Sequence, residues 1–327
     1  MAALGSPSAR ALVGGNVDVN SAGSLWAGVG AVRINGGIFS GALLDSQHVL
    51  TAAHVVGGQV ATPGNVSFTL NVGGNLTHTL SATAITVFPG YAGTAPGADG
   101  VWHDDLAIVT LSAPIAGAVP MYDLYGGSLS SQTLTVVGYG GGGDGVSGVT
   151  SGANASVKRV GKNRVDELLK DDDGGQHDEI FVFDFDGPDS SSNVFGPPIS
   201  ANLTLGATIE AQFAGGDSGS PVFVNDNGVW KIAGIAAFNG NTRLSSGSNV
   251  LFGSIGGGTV VASYLPWIES TLAAPVPEPH AWLMLVAGLG LVGAARYKRQ
   301  AASYKLQGIR GEAGSHSLCL NLVTCNL

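Results

Sequence analysis

The chain has 327 residues, 44% of them hydrophobic and only 11% charged, with 52 glycines and a formal net charge of −9. That apolar content can fill a core and excludes disorder as the main state, and the length admits one large or two modest domains. Five of the 14 basic residues lie between Arg296 and Arg310, so residues 1–274 carry 9 basic against 21 acidic side chains. A body this acidic lacks the clustered Lys and Arg that phosphate contacts need, which excludes a nucleic-acid partner. The two cysteines, Cys319 and Cys325, stand near the end, so the body has neither a disulfide framework nor a cysteine zinc site.

Residues 1–11 are small and polar and hold no continuous apolar run, so no secretory signal is expected there. Residues 12–140 read as many short strands, among them Gly28–Arg33, Ile38–Leu44, Val66–Val72, Ala107–Leu111 and Leu134–Val137. Each is alternating or β-branched and bounded by turn residues. The spacing predicts a sandwich or barrel and not a parallel α/β sheet. Gly140–Gly143 reads as loop, and Val165–Lys170 predicts a short helix. Ten of the body's 21 acids fall between Asp166 and Asp189. Phe181–Phe185 alternates apolar and acidic and predicts a strand. Strand signals return from Leu203 and are clearest at Gly219–Val224 and Val229–Ala237. Tyr264–Leu272 predicts a closing helix, with Leu265, Ile268 and Leu272 at helical spacing. Pro275–Pro279 is a rigid break. The fifteen residues Ala281–Ala295 carry no charge and precede Arg296, Lys298 and Arg299. At about 1.5 Å per residue they span roughly 22 Å, short of the ~30 Å hydrocarbon core unless flanking residues snorkel. The prolines before and the cations after predict a separate apolar helix that inserts in a membrane with its basic end cytoplasmic. The other reading is a buried hairpin helix of the body.

Three segments carry residue types suited to acyl transfer. Thr51-Ala52-Ala53-His54 follows a strand. His103-Asp104-Asp105 precedes the apolar run Leu106–Val109. Gly215-Gly216-Asp217-Ser218-Gly219 lies between strands. A serine hydroxyl is a weak nucleophile at neutral pH and needs a base. An imidazole, which ordinarily titrates at about 6.5, suits that role, and a buried carboxylate fixes its tautomer and stabilises its cation. Glycines beside the serine let backbone N–H groups approach a developing oxyanion without a Cβ in the way. Alone, such a histidine or aspartate is more often structural, and a Gly-Asp-Ser-Gly turn is ambiguous in a glycine-rich chain. Their conjunction in the order His, Asp, Ser is far more specific.

With these motifs the sequence resembles the chymotrypsin/trypsin-like serine peptidases over about residues 12–272, with a divergent insertion near 141–200. Thr51–His54, Asp105-Leu106-Ala107 and Gly216-Asp217-Ser218-Gly219 match the family's three catalytic motifs. Val137-Gly138-Tyr139-Gly140, Gly234–Phe238 and Tyr264–Leu272 resemble further family segments. The resemblance implies an all-β fold of two six-stranded antiparallel barrels with a C-terminal helix and the active site in the cleft between them. It implies Ser218 as nucleophile, His54 as general base and Asp105 orienting it, with Asp104 the rival carboxylate. The N–H groups of Gly216 and Ser218 would form the oxyanion hole. No cofactor or metal is implied, and the partner is a peptide or protein substrate.

The chain also departs from that family. The disulfide that often clamps the base histidine falls at about Ser40 and Val55 and is absent, and the position before the nucleophile loop, often cysteine, is Ala214. The implied pocket comprises Gln212 at its floor with Ala237, Phe238 and Asn239 on its wall. A neutral floor predicts a P1 residue that is not basic, unless nearby Glu210 reaches in. Leu12-Val13-Gly14-Gly15 resembles the family's activated N-terminus, which implies that a free Leu12 ammonium pairs with Asp217; an ordinary strand start is the other reading. The clustered acids Asp171–Asp173 and Asp184–Asp186 lack EF-hand spacing and read as a solvated loop more than a Ca²⁺ site.

Val276-Pro277-Glu278-Pro279, Ala281–Ala295 and the following cations resemble the PEP-CTERM sorting signal of Gram-negative bacteria. That implies export, transient anchoring in the inner membrane and processing by an exosortase-like enzyme. The expected organisation is therefore a leader remnant or propeptide (1–11), a peptidase domain (12–274), a sorting segment (275–299) and a tail of unassigned role (300–327). A truncated start and an extended or frame-shifted end would account for the absent export signal and the extra tail. The rival readings are a catalytically silent surface or matrix protein that uses the same fold for binding, and a triad esterase.

Overall fold

The computed structural model describes residues 12–21, 23–70, 78–93, 97, 100–195, 203–242, 250–274 and 296. The chain divides into two units, Met1–Ala274 and Pro275–Leu327. Of the second only Arg296 is described, so the sorting segment, including Ala281–Ala295, lies outside the described residues. Among the described residues no helix is long and apolar enough to cross a membrane.

In chain order the first unit contains β1 (Leu12–Val13), β2 (Asn16–Val17), β3 (Val29–Ile34), β4 (Gly37–Leu43), β5 (His48–Thr51), α1 (Ala53–Val56), β6 (Val66–Leu70), β7 (His78–Val87) and β8 (Ala107–Leu111). The second half holds β9 (Thr133–Gly138), β10 (Gly142–Asp144), β11 (Gly148–Ser151), β12 (Arg159–Arg164), β13 (Glu167–Lys170), β14 (Asp178–Asp184), β15 (Pro221–Asp226), β16 (Val229–Gly240), β17 (Ile255–Val260) and α2 (Leu265–Leu272). Strands β3 to β8 close into a six-stranded barrel in the order β3-β4-β5-β8-β7-β6. Its strands are buried on both faces: Val29, Ala31, Leu50 and Ile108 share one face, and Leu43, Phe68 and Leu111 share the other.

The second barrel does not close. Its strands form an open eight-stranded sheet, β13-β14-β17-β16-β15-β9-β12-β2. The edge strands β13 and β2 have four and two residues. Where closure would bring β12 to β14, a side chain spans instead: Asn163 Nδ2 donates to Asp184 O at 2.8 Å and to Ala211 O at 3.1 Å. The segment beside it makes only single bridges, Lys162 to Glu210 and Val13 to Gln212. One face of the sheet buries Phe181, Phe183, Phe213, Val222 and Val260. Phe223, Ile232 and Ile235 join the barrel's core.

Two local expectations are also corrected. Val165–Lys170 is not a helix. Glu167–Lys170 is strand β13, paired antiparallel to β14 with Leu168 opposite Phe181; cross-strand burial overrides local helix propensity. Of Gly140–Gly143, expected as loop, Gly142 and Gly143 fall in β10 (Gly142–Asp144), paired with β1 and β11. The stretch read as an insertion thus supplies three integral strands of the large sheet, β12, β13 and β14.

Candidate functional site

Register brings the first two candidate side chains, His54 and Asp105, together. β5 pairs with β8 so that Thr51 stands opposite Ala107. The chain continuing past Thr51 into α1 therefore runs beside the residues leading into β8, and His54 meets Asp105. Asp105 Oδ2 lies 2.6 Å from His54 Nδ1, and Asp105 Oδ1 accepts the His54 backbone N–H at 2.7 Å. The carboxylate is 2% exposed and the imidazole 32%. With Nδ1 engaged, Nε2 is the ring nitrogen available to accept a proton. Tyr91 lines a cavity together with His54 and Asp105, and burial together with the Asp105 charge pushes its phenol up to about 12.

Asp104, the rival, faces elsewhere. Its φ of +59° turns the backbone between the two aspartates. Its Oδ1 accepts the Tyr264 hydroxyl at 2.9 Å. Burial and a shared hydrogen bond with Glu179 push its carboxyl up to about 7. Glu179 also bonds Tyr264 and lies 2.5 Å from His103 Nδ1, which forms a second buried His–carboxylate pair beside the first.

The Ser218 loop is held against the barrel. Ser40 N–H donates to Ser218 O at 3.0 Å, and the Ser40 hydroxyl donates to Gly216 O at 3.1 Å. That hydroxyl also accepts the Tyr139 N–H at 2.9 Å, while Thr51 Oγ1 donates to Ser40 O at 2.8 Å. Two glycines make the approach possible. Gly216 (φ +97°) would place a Cβ 2.6 Å from Ala153 Cβ, and Gly219 (φ +79°) would place one 2.1 Å from Thr51 Oγ1. Within the loop, Asp217 N–H bonds Ala214 O, Gly219 N–H bonds Ala236 O and Ser220 N–H bonds Asp217 O. Among the described residues the N–H groups of Gly216 and Ser218 have no such acceptor. His54 is bonded to Asp105 and not, among the described residues, to Ser218. Sequence reasoning noted Ser40 only as a missing cysteine; its role as the clasp of this loop has no local sequence signal.

Two cavities adjoin along Ala237 and Phe238. One, of about 310 Å³, includes His54, Asp105, Tyr91 and Trp102 in its lining. The other, of about 300 Å³, is lined by Phe213–Gly215, Ser218 and Ala236–Asn239. Asn239 Nδ2 bonds Phe213 O at 2.7 Å across this second cavity. Gln212 is fully buried and turned inward, its amide engaged by Phe213 N–H and Ser254 O. Glu210 accepts N–H bonds from Asp186 at 2.7 Å and Leu205 at 2.6 Å. Among the described residues no acidic side chain lines the second cavity.

Leu12 and Asp217 lie on neighbouring segments. Leu12 pairs with Gly142, two residues beyond Gly140. Asp217 Oδ1 accepts the Gly140 N–H at 2.9 Å and Oδ2 the Ala214 N–H at 3.0 Å. Burial nonetheless pushes the Asp217 carboxyl up to about 7, against the pull of those N–H groups and of Arg159. Leu12 is buried with φ +46°, a left-handed conformation costly for a branched residue. The acids read as a solvated loop divide. Asp172 and Asp173 are exposed and Asp171 pairs with His177 at 2.6 Å, whereas Asp184 and Asp186 are 2% and 5% exposed. Backbone N–H groups of Val194 and Phe195 receive the buried Asp184, and Thr204 hydrogen-bonds the Asp186 side chain. Burial first and mutual repulsion second push Asp166 up to about 8 and Asp186 up to about 6.

Comparison with known proteins agrees with this geometry. The PEP-CTERM protein-sorting motif matches residues 275–300, which suggests export and implies recognition by an exosortase-type enzyme. No curated protein matches the chain. The trypsin-like peptidase domain matches residues 39–235, from within β4 to within β16 and more than half of the chain. That span contains His54, Asp105 and the Ser218 loop, and the chain belongs to the trypsin-like peptidase family.

Proposed function

We propose that the chain is an exported serine endopeptidase that works through Ser218, His54 and Asp105. The observation that carries this reading is the His54–Asp105 pair, joined at 2.6 Å through the side chains and at 2.7 Å through the His54 backbone. It stands on a cleft wall whose continuation, across Ala237 and Phe238, holds Ser218. In the proposed reaction Ser218 Oγ attacks the scissile carbonyl as its proton passes to His54 Nε2. Asp105 holds the ring and stabilises the imidazolium. The N–H groups of Gly216 and Ser218 bind the oxyanion, and each such donor is worth ~2.7–4 kcal/mol of barrier. His54 then returns the proton to the leaving amine, and a water activated by His54 hydrolyses the acyl-enzyme.

The neutral lining of the second cavity supports a P1 residue that is not basic. Asn239 and Phe238 narrow it, which favours a small side chain. In the same reading the peptidase domain spans 12–274, the export signal acts through residues 275–299 with transient anchoring by Ala281–Ala295, and cleavage before Leu12 frees an ammonium for Asp217. Such cleavage would also relieve the left-handed φ at Leu12, because an N-terminal residue has no φ. Labelling by a fluorophosphonate, abolished in Ser218→Ala, tests the nucleophile; persistence of labelling would refute it. A wild-type protein that takes no label would instead be a silent binding protein. Cleavage-site profiling on a proteome, run beside a small ester, separates peptidase from esterase and reads P1 directly. Cuts after Arg or Lys would overturn the pocket assignment.

A further inference from the structure

Outside the cleft, one cluster combines residue types, geometry and burial suited to a ligand. One ligand atom each from His103, Asp172 and Glu179 lies within 4.8 Å of the other two. They arrive from three places: the segment leading to Asp105, the β13–β14 connection, and the start of β14. His103 and Glu179 are 7% and 2% exposed, whereas Asp172 is exposed. Two donors therefore form a fixed floor and the third stands at the rim, where an ion would enter.

The floor is backed by other groups. The Tyr264 hydroxyl donates to Glu179 Oε1, and the Asp104 N–H reaches the same oxygen at 3.3 Å. That leaves Glu179 Oε2 directed at the imidazole, 2.5 Å from His103 Nδ1. Outer partners of this kind orient metal ligands and are nearly as important as the ligands themselves.

We propose that His103, Asp172 and Glu179 bind a divalent transition-metal ion of the zinc or manganese class. One imidazole nitrogen with carboxylate oxygens suits such ions, while Ca²⁺ and Mg²⁺ favour oxygen alone. Water would complete the coordination. The ion would tie the β13–β14 connection to the chain two residues before Asp105. If the peptidase reading holds, it would thereby steady the carboxylate that orients His54.

The test is calorimetric titration of Zn²⁺ into full-length, chelator-treated protein, with thermal melts alongside. Wild type should take up one equivalent and melt at a higher temperature when loaded. Asp172→Asn, an exposed change that leaves the floor intact, should weaken binding at least about tenfold and lose the thermal shift. Asp173→Asn and His177→Asn should leave both unchanged, the latter because the exposed His177 pairs with Asp171 and not with the three proposed ligands. Ser218→Ala should bind as wild type does, so loss of the peptidase reading would not touch this result. No saturable uptake by wild type, undiminished uptake by Asp172→Asn, or loss of uptake in His177→Asn would each overturn the site.

Discussion

Ser40 illustrates how much a single residue contributes to the assembly of the cleft. Its hydroxyl and backbone together hold Gly216, Ser218, Tyr139 and Thr51. In Ser40→Ala the buried Tyr139 N–H loses its acceptor, a loss worth about 1–3 kcal/mol. The expected outcome is a lower melting temperature and a lower kcat with KM little changed, since the loop shifts and the pocket wall does not; unchanged kinetics would show that the loop positions itself. Asp217 sets a second expectation. An acid whose pKa rises on folding holds its proton more tightly in the folded chain. Its contribution to stability is full below the ordinary carboxylate range and is lost as pH climbs to the folded value, here about 7. In a chain that starts at Leu12, an ammonium against Asp217 would keep the carboxylate ionised, and that loss would disappear. Denaturant midpoints of the two forms at pH 5 and pH 8 measure the difference; parallel curves would remove the proposed pairing.

At the scale of elements, the Ser218 loop is fitted to the barrel and not merely near it. Gly219→Ala would force a Cβ against Thr51 Oγ1 and Ser40 O, at 2.1 and 2.3 Å. The loop would have to lift. A displacement of ~1 Å at a reacting atom costs about a hundredfold in rate, so kcat/KM should fall by about that factor while the barrel still folds; a variant with full activity would contradict the docking described. The strand β13 carries a different lesson. Its sequence, Glu167-Leu168-Leu169-Lys170, is as compatible with helix as with strand. Pairing with β14 decides it, because Leu168 then packs over the Phe181 side of the sheet.

Across the whole molecule the barrel and the open sheet share one core. Trp26 packs on Phe223 at 4.9 Å and on Trp230 at 5.1 Å between ring centres. The buried Lys158 donates to Trp26 O at 2.7 Å and pairs with Asp18 at 3.3 Å. The cleft is rigid to the extent that this seam is. The molecule also buries more acid than its fold can neutralise. Asp166, Asp186 and Asp217 hold raised pKa values of about 8, 6 and 7, and Asp184 and Glu210 are raised beside them, chiefly by burial. Each binds its proton more tightly folded than unfolded, so global stability should decline from pH 4 to pH 8 and level off above. Asp217 alone contributes on the order of 4 kcal/mol to that decline. Urea midpoints across this range check it; a midpoint that rises with pH would mean a cation or partner neutralises these groups.

The sequence by itself determined the β class, most strand positions, the closing helix and the three motifs that hold His54, Asp105 and Ser218. These are written locally, in alternation, in turn residues and in short runs such as Thr51–His54. Between the adjacent carboxylates, it is Asp105 that lies 2.6 Å from His54 Nδ1, while Asp104 bonds Tyr264. Only the tertiary structure decided that the second sheet stays open, that Val165–Lys170 holds a strand, that Asp184 and Asp186 are interior, and that Ser40 clasps the Ser218 loop. The physical reason is common to all four. Each depends on a partner far along the chain: Asn163 reaching Asp184 and Ala211, β14 receiving β13, Val194 and Phe195 donating to Asp184, and Gly216 accepting from Ser40. No local pattern encodes contacts made across 8 to 176 residues.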